Sequence, residues 1–110
     1  MFSKEKGDIA EKKAITFLKK EGFKIVAQNY FAKKMGEIDI IATKKKVYHF
    51  IEVKSGSGFD PVYNLTASKL QKVIKSSQFY LKEHAIDLPF CIDAIIIKDD
   101  KLEFLENITI

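Results

Sequence analysis

The segment Phe90-Cys91-Ile92-Asp93-Ala94-Ile95-Ile96-Ile97-Lys98 constrains this chain more than any other. It is rich in β-branched residues and almost wholly apolar, so as a strand it must sit centrally and be covered on both faces, which calls for helices against a sheet. Its unbroken apolar stretch, Ala94–Ile97, is the longest in the chain and far short of the ~20 residues of a membrane span. No association with a membrane is expected. A chain of 110 residues buries roughly two-thirds of its unfolded surface, enough for one sheet with its helices. The expectation is a single α/β domain over residues 1–110.

The remaining periodicities fill in that sheet. Asp8 to Glu21 reads as an amphipathic helix, with Ala10, Ala14, Phe17 and Leu18 on one stripe and Gly22 as its stop. Phe23 to Asn29 alternates as a strand, and Lys33 to Gly36 is a turn. Glu37–Thr43 and Val47–Lys54 are two further strands, joined by a hairpin at Lys44 to Lys46. Ser55 to Asn64, with its glycines, serines and proline, reads as a mobile loop suited to a flap over a substrate. Ala67–Lys82 is a second helix, capped by Thr66, with Leu70, Val73, Ile74, Ser77 and Leu81 facing the core. After Phe90–Lys98, a turn at Asp99-Asp100 leads into a last strand, Leu102–Leu105. The order is α-β-β-β-α-β-β.

Charge narrows the class of partner. All 19 basic residues are lysine, and residues 1–55 carry 13 of them against 7 acids, while residues 56–110 carry 6 against 8. The N-terminal half therefore has a field that attracts phosphate backbones. Lysine lacks the planar fork that reads base edges, so backbone and shape contacts are expected rather than sequence reading. Cys91 stands alone, offers no internal disulfide, and gives no zinc framework with His49 and His84. The chain does not open on a basic start followed by an apolar stretch, and an intracellular, cytoplasmic protein is expected.

The chemistry concentrates in an acid-x-lysine pattern, which brings a metal-binding carboxylate and a cation to one side of a strand. Three instances occur: Glu11 to Lys13, Glu52 to Lys54 and Asp99 to Lys101. Chance alone gives about 2.5 in a chain so rich in both residue types. On a helix, Glu11 and Lys13 diverge by about 200°, and Asp99 to Lys101 falls in a turn. Only Glu52 and Lys54 share one side of a strand. Asp39, set between isoleucines on the preceding strand, lies directly across from Glu52 if the hairpin spans Lys44 to Val47, and diagonal to it on the same face if the turn is Lys44-Lys45. A three-residue turn would put the two on opposite faces. Two carboxylates so close repel, and one keeps its proton unless a cation joins them. Mg²⁺ or Mn²⁺, hard ions that take carboxylate oxygens and retain waters, suit such a pair. A structural ion pair with Lys54 or a neighbouring lysine is the competing account. Glu11 adjoins the apolar stripe beside Ala14, Ile15 and Leu18, and reads either as a third acid facing the sheet or as a solvated helix-flank charge.

Gly36-Glu37-Ile38-Asp39-Ile40-Ile41 followed by Phe50-Ile51-Glu52-Val53-Lys54 closely resembles the YraN family of small bacterial proteins. That family is placed in the PD-(D/E)XK nuclease superfamily, near the archaeal Holliday-junction resolvases. The likeness runs from about Gly7 to Ile108 and includes Gly7 through Glu11, Phe17-Leu18, Asn29, Ser68-Lys69, Lys72 and Asp93. It implies a restriction-endonuclease-like αβββαβ core with a mixed sheet between helices. It further implies Asp39 and Glu52 as metal ligands, Lys54 as the lysine that activates water and steadies phosphate charge, and Glu11 as the helix-one acid completing the site. Lys69 would contact the substrate backbone. The chain departs from the family at Gly56 and Cys91, where relatives often carry arginine, and each change removes a cation.

The function this implies is metal-dependent hydrolysis of phosphodiester bonds in DNA rather than RNA, with branched DNA among the substrates. A homodimer is among the assemblies it allows, because a junction needs two copies of so small a site. Lys69, Lys72 and Lys75 step along the second helix as a backbone track, joined by Gly56 and Ser57 in the loop after the catalytic strand. Ser55-Gly56-Ser57-Gly58 lacks the ending of a nucleotide-cradling P-loop. His49 reads as a packing or hydrogen-bonding residue, His84 as the end of the second helix, and Cys91 as a small core residue. Asp93 is either a fourth site acid or a satisfied structural carboxylate. Two other readings stand beside the nuclease: a non-catalytic nucleic-acid-binding module that keeps its fold, and a domain whose basic half meets an acidic protein.

Overall fold

A computed structural model describes the backbone of residues 2–57 and 65–108, with side chains from Asp8 onward. Helix α1 spans Phe2–Lys20, and strands β1 (Lys24–Phe31), β2 (Glu37–Lys44) and β3 (Val47–Gly56) follow, with a 3₁₀ turn at Lys33–Met35 between β1 and β2. Helix α2 (Ala67–Glu83) crosses over to β4 (Phe90–Lys98), and β5 is Lys101–Leu105. The sheet order is β1-β2-β3-β4-β5. β3 and β4 are parallel and every other pair is antiparallel. This is the mixed α/β class expected. Its α1-β1-β2-β3-α2-β4 succession has the αβββαβ order of a restriction-endonuclease-like core, to which β5 is added.

Consecutive residues of the sheet serve different helices, which fixes the layering. Ile40, Ile51, Ile95 and Ile97 pack with Ala10, Ala14 and Leu18 of α1. Ile41, Phe50 and Ile92 pack instead with Val73, Tyr80 and Leu81 of α2. Because strand neighbours point to opposite faces, α1 and α2 lie on opposite sides of the sheet. β4 is the strand that both layers cover: Ile92 through Ile97 are all buried. Among the described residues, no helix is long and apolar enough to cross a membrane.

The helix ends follow the sequence signals. Gly22 (φ +89°) closes α1: its N–H donates to Lys19 O, and the Phe23 N–H donates to Leu18 O at 2.9 Å. Thr66 caps α2 through its hydroxyl, which accepts from the Lys69 N–H at 3.2 Å. Three boundaries move by two residues or more, and others by one. α1 starts at Phe2 rather than Asp8, and β1 continues past Asn29 to Phe31. β3 runs to Gly56 rather than Lys54, because β4 supplies ladder partners for Ser55 at Ile97 and for Gly56 at Lys98. Ser55 and Gly56 therefore belong to the strand, not to a loop, and residues 58–64 of the expected flap lie outside the described residues.

Candidate active site

The β2–β3 hairpin decides whether Asp39 and Glu52 meet. Lys44 pairs with Val47, so the turn is Lys45-Lys46, both with positive φ (52° and 65°). A two-residue turn of that hand matches the twist of the strands it joins. The ladder runs Thr43–Tyr48, Ala42–His49, Ile41–Phe50 and Ile40–Ile51. One further step sets Asp39 across from Glu52, the directly opposed register among those the sequence allows. Asp39 is also anchored: its Oδ2 accepts the Val53 backbone N–H at 2.8 Å.

Burial of these acids gives the site its electrostatic character. Glu52 is pushed up to about 8 by burial first and by repulsion from Asp39 second, offset by Lys54 and by the Asp39 backbone N–H. Asp39 is also raised, by burial, against the Val53 hydrogen bond and Lys54. Glu52 Oε1 is buried with no hydrogen-bond partner among the described residues. Lys54 is half-buried on the same strand, and no lysine nitrogen comes within 4.0 Å of a carboxylate oxygen among the described residues. Lys54 therefore acts on the pair through space rather than as a bonded counterion.

Glu11 joins them from α1. It is half-buried, and its carboxyl is raised by burial and then by repulsion from Asp39, while the Asn29 side chain lowers it. Glu11, Asp39, Glu52 and Lys54 thus form one electrostatic group drawn from α1, β2 and β3. Asn29 is the member that periodicity does not single out. It sits in β1 with φ +50°, a left-handed conformation that asparagine tolerates better than most residues. An asparagine inside an alternating strand is the only sequence signal of that departure.

This donor set fits a hard divalent cation. Its carboxylates offer only oxygen, Asp39 repels Glu52, and one Glu52 oxygen is buried with no partner among the described residues. Removing that oxygen from water uncompensated is costly, and a cation would offset both the desolvation and the repulsion.

The proposed substrate-contacting residues lie farther out. Lys69, Lys72 and Lys75 are exposed on α2. α2 approaches the start of β2 closely: a Cβ placed on Gly36 (φ +131°) would sit 3.4 Å from Ser76 Oγ and 3.7 Å from Lys72 Cβ. A glycine is favoured there for its φ, since a Cβ would meet α2 only at ordinary van der Waals distance, and Lys72 borders the strand that carries Asp39. Gly56 ends β3, with its carbonyl accepting the Asp99 N–H at 3.2 Å, and Ser57 is exposed just beyond.

The residues read as structural form a second polar centre. Asp93 is fully buried, its Oδ2 lies 2.5 Å from His49 Nδ1, and its Oδ1 accepts the Asn107 N–H at 2.8 Å. Cys91 Sγ lies 3.1 Å from His49 Nδ1 and donates to Asp93 Oδ1 at 3.3 Å. Asp93 is therefore a satisfied carboxylate rather than a fourth acid of the Glu52 group. The Cys91 thiol is pushed up to about 12 by burial and then by Asp93, the wrong direction for a nucleophile. His84 caps α2, with its ring stacked on Tyr80 at 4.1 Å.

Residues 10–97 match the family described as "Uncharacterised protein family UPF0102". The chain is 56% identical over 108 residues to a UPF0102 protein of Aliarcobacter butzleri, covering 97% of this chain and 98% of that one. It is 51% identical over 108 residues to a UPF0102 protein of Wolinella succinogenes, covering 98% and 99%. A UPF0102 protein of Helicobacter pylori strain P12 is 56% identical over 106 residues, covering 96% and 92%.

Proposed function

We propose, from the premise that this chain belongs to the uncharacterised protein family UPF0102, that it is a metal-dependent endonuclease hydrolysing phosphodiester bonds in DNA, branched DNA included. The observation that carries the reading is the β2–β3 register, which continued one step beyond Ile40–Ile51 sets Asp39 across from Glu52, together with Glu52 Oε1, buried and without a hydrogen-bond partner among the described residues, and Lys54 acting on it through space. The resemblance to the YraN family and the PD-(D/E)XK nucleases supports it through the same residues.

In this reading Asp39, Glu52 and Glu11 would hold Mg²⁺ or Mn²⁺, which when bound would supply Lewis-acid polarisation of the scissile phosphate and a more acidic water. The protein's own groups do the rest. The Val53 N–H fixes Asp39 in place, and Lys54 stabilises the negative charge that grows on the phosphate. Lys69, Lys72 and Lys75 grip the sugar–phosphate backbone as point charges, with Gly56 ending the strand that bears Lys54 and Ser57 just beyond it. A cytoplasmic setting and a homodimer acting on two strands of a junction accompany the proposal.

The test is cleavage of labelled duplex, single-stranded and four-way-junction DNA with Mg²⁺, Mn²⁺ or EDTA, beside Glu52→Ala. The expected result is metal-dependent cleavage by the parent chain and none by the variant, with binding retained. Salt-sensitive binding without cleavage in any metal would overturn the nuclease and leave a nucleic-acid-binding module. Cleavage that survives Glu52→Ala would place the chemistry elsewhere.

A further inference from the structure

We infer that His49, Cys91 and Asp93 form a second metal site, separate from the carboxylate group and selective for a borderline-soft divalent cation, Zn²⁺. The inference goes beyond the nuclease reading and does not depend on it. β3 and β4 create the site: His49 pairs with Cys91 in the parallel ladder and Ile51 with Asp93, so the three side chains share one side of two adjacent strands. One ligand atom from each lies within 4.8 Å of the others. His49 is 7% exposed and Asp93 fully buried, so two of the three donors are held by the core. Glu52 lies three residues along β3 from His49, about 10 Å at strand rise, and with opposite parity.

Donor chemistry separates the two sites. An imidazole nitrogen, a thiolate sulfur and a carboxylate oxygen suit Zn²⁺, whereas an all-oxygen set suits Mg²⁺ or Mn²⁺. The site also has a route in and room for a fourth donor. A cleft of 510 Å³ is lined by His49 and Cys91 together with Phe23, Lys44, Glu106 and Asn107. Glu106 or a water would complete a four-coordinate centre there. Such a centre would tie the N-terminal ends of β3 and β4 to the chain after β5, which already reaches Asp93 through the Asn107 N–H. His49, His84 and Cys91 by themselves make no zinc framework; the fold leaves His84 at the C-terminal cap of α2 and brings Asp93 in its place.

The test uses the full chain, reduced and stripped with chelator, then titrated with Zn²⁺ and with Co²⁺ as a spectroscopic stand-in. One equivalent should bind, with a thiolate-to-cobalt charge-transfer band and the visible intensity of a tetrahedral centre. Cys91→Ser should abolish that band and weaken Zn²⁺ affinity at least ~10-fold, and His49→Gln should weaken it comparably. Circular dichroism of both variants shows whether they remain folded. Asp39→Asn/Glu52→Gln, which dismantles the other site, should keep the band. The absence of a charge-transfer band in the parent chain overturns the inference. So does Zn²⁺ affinity unchanged in a folded Cys91→Ser variant, or a band lost only in Asp39→Asn/Glu52→Gln.

Discussion

The Asp39 carboxylate of β2 accepts the backbone N–H of Val53 on β3 at 2.8 Å. One carboxylate thus serves both the sheet and the candidate site: it satisfies a strand amide while standing across from Glu52.

The two roles separate by substitution. Asp39→Asn keeps an oxygen for the Val53 amide and removes the charge that repels Glu52, so in metal-free buffer at neutral pH it is expected to match or exceed the parent's stability. Asp39→Ala strands the amide and is expected to fall below Asp39→Asn by about 1–3 kcal/mol. Urea unfolding of the three proteins measures this. Both variants should lose divalent-metal stabilisation, and an Asp39→Asn variant that kept it would remove Asp39 from the ligand set.

Glu52 makes the stability of the metal-free chain depend on pH. Its folded-state value, about 8, lies above the ordinary 4.5, so between the two the folded chain keeps a proton that the unfolded chain has released. Stability contributed by the neutral acid is complete below the lower value and is lost as pH rises through the window, by at most ~1.4 kcal/mol per unit for one proton. The midpoint of thermal unfolding should therefore fall from about pH 5 to about pH 8. Glu52→Gln should flatten that decline, and Mn²⁺ should reverse it, since the ion takes the proton's place. A parent chain whose stability rises across this window contradicts the assignment.

Binding to nucleic acid should respond to Lys69 and Lys72 as phosphate contacts do. Replacing both with glutamine is expected to weaken affinity for every DNA tested and to make the slope of log K against log salt shallower by roughly 2. Fluorescence anisotropy over a salt series reads both effects. A slope unchanged in the double variant would place the backbone track elsewhere on the surface.

The Lys45-Lys46 turn holds two lysines in left-handed conformations that neither prefers. Lys45→Asn with Lys46→Gly supplies the residues this turn favours and should stabilise the chain by about 1 kcal/mol, seen as a higher urea midpoint. The change leaves the Lys44–Val47 pairing intact, so metal binding should be unaffected. A shift in metal affinity would mean that the register between Asp39 and Glu52 had moved with the turn.

Much of this was legible along the chain. The apolar run of β4 demanded cover on both faces, and Ile92 through Ile97 are buried between two helices. Period-two alternation placed Glu52 and Lys54 on one strand. Gly22 and Thr66 marked helix ends because their backbone and side-chain preferences are local properties. The limits of the strands were less legible. β3 continues through Ser55 and Gly56 only because β4 lies beside them, and no property of a serine-glycine pair announces a partner far away in sequence.

The sequence by itself determined which residues carry charge, which stretches are apolar and with what period, and so the order of helices and strands and the candidates Asp39, Glu52 and Lys54. Only the tertiary structure decided their company. Whether the hairpin turned at Lys45-Lys46 or one residue earlier, whether Glu11 faced the carboxylates or the solvent, and whether Cys91 would find His49 and Asp93 all depended on register and layer packing. These are cooperative choices settled by burying both faces of one sheet at once, and a one-residue slip would reverse every side chain on a strand.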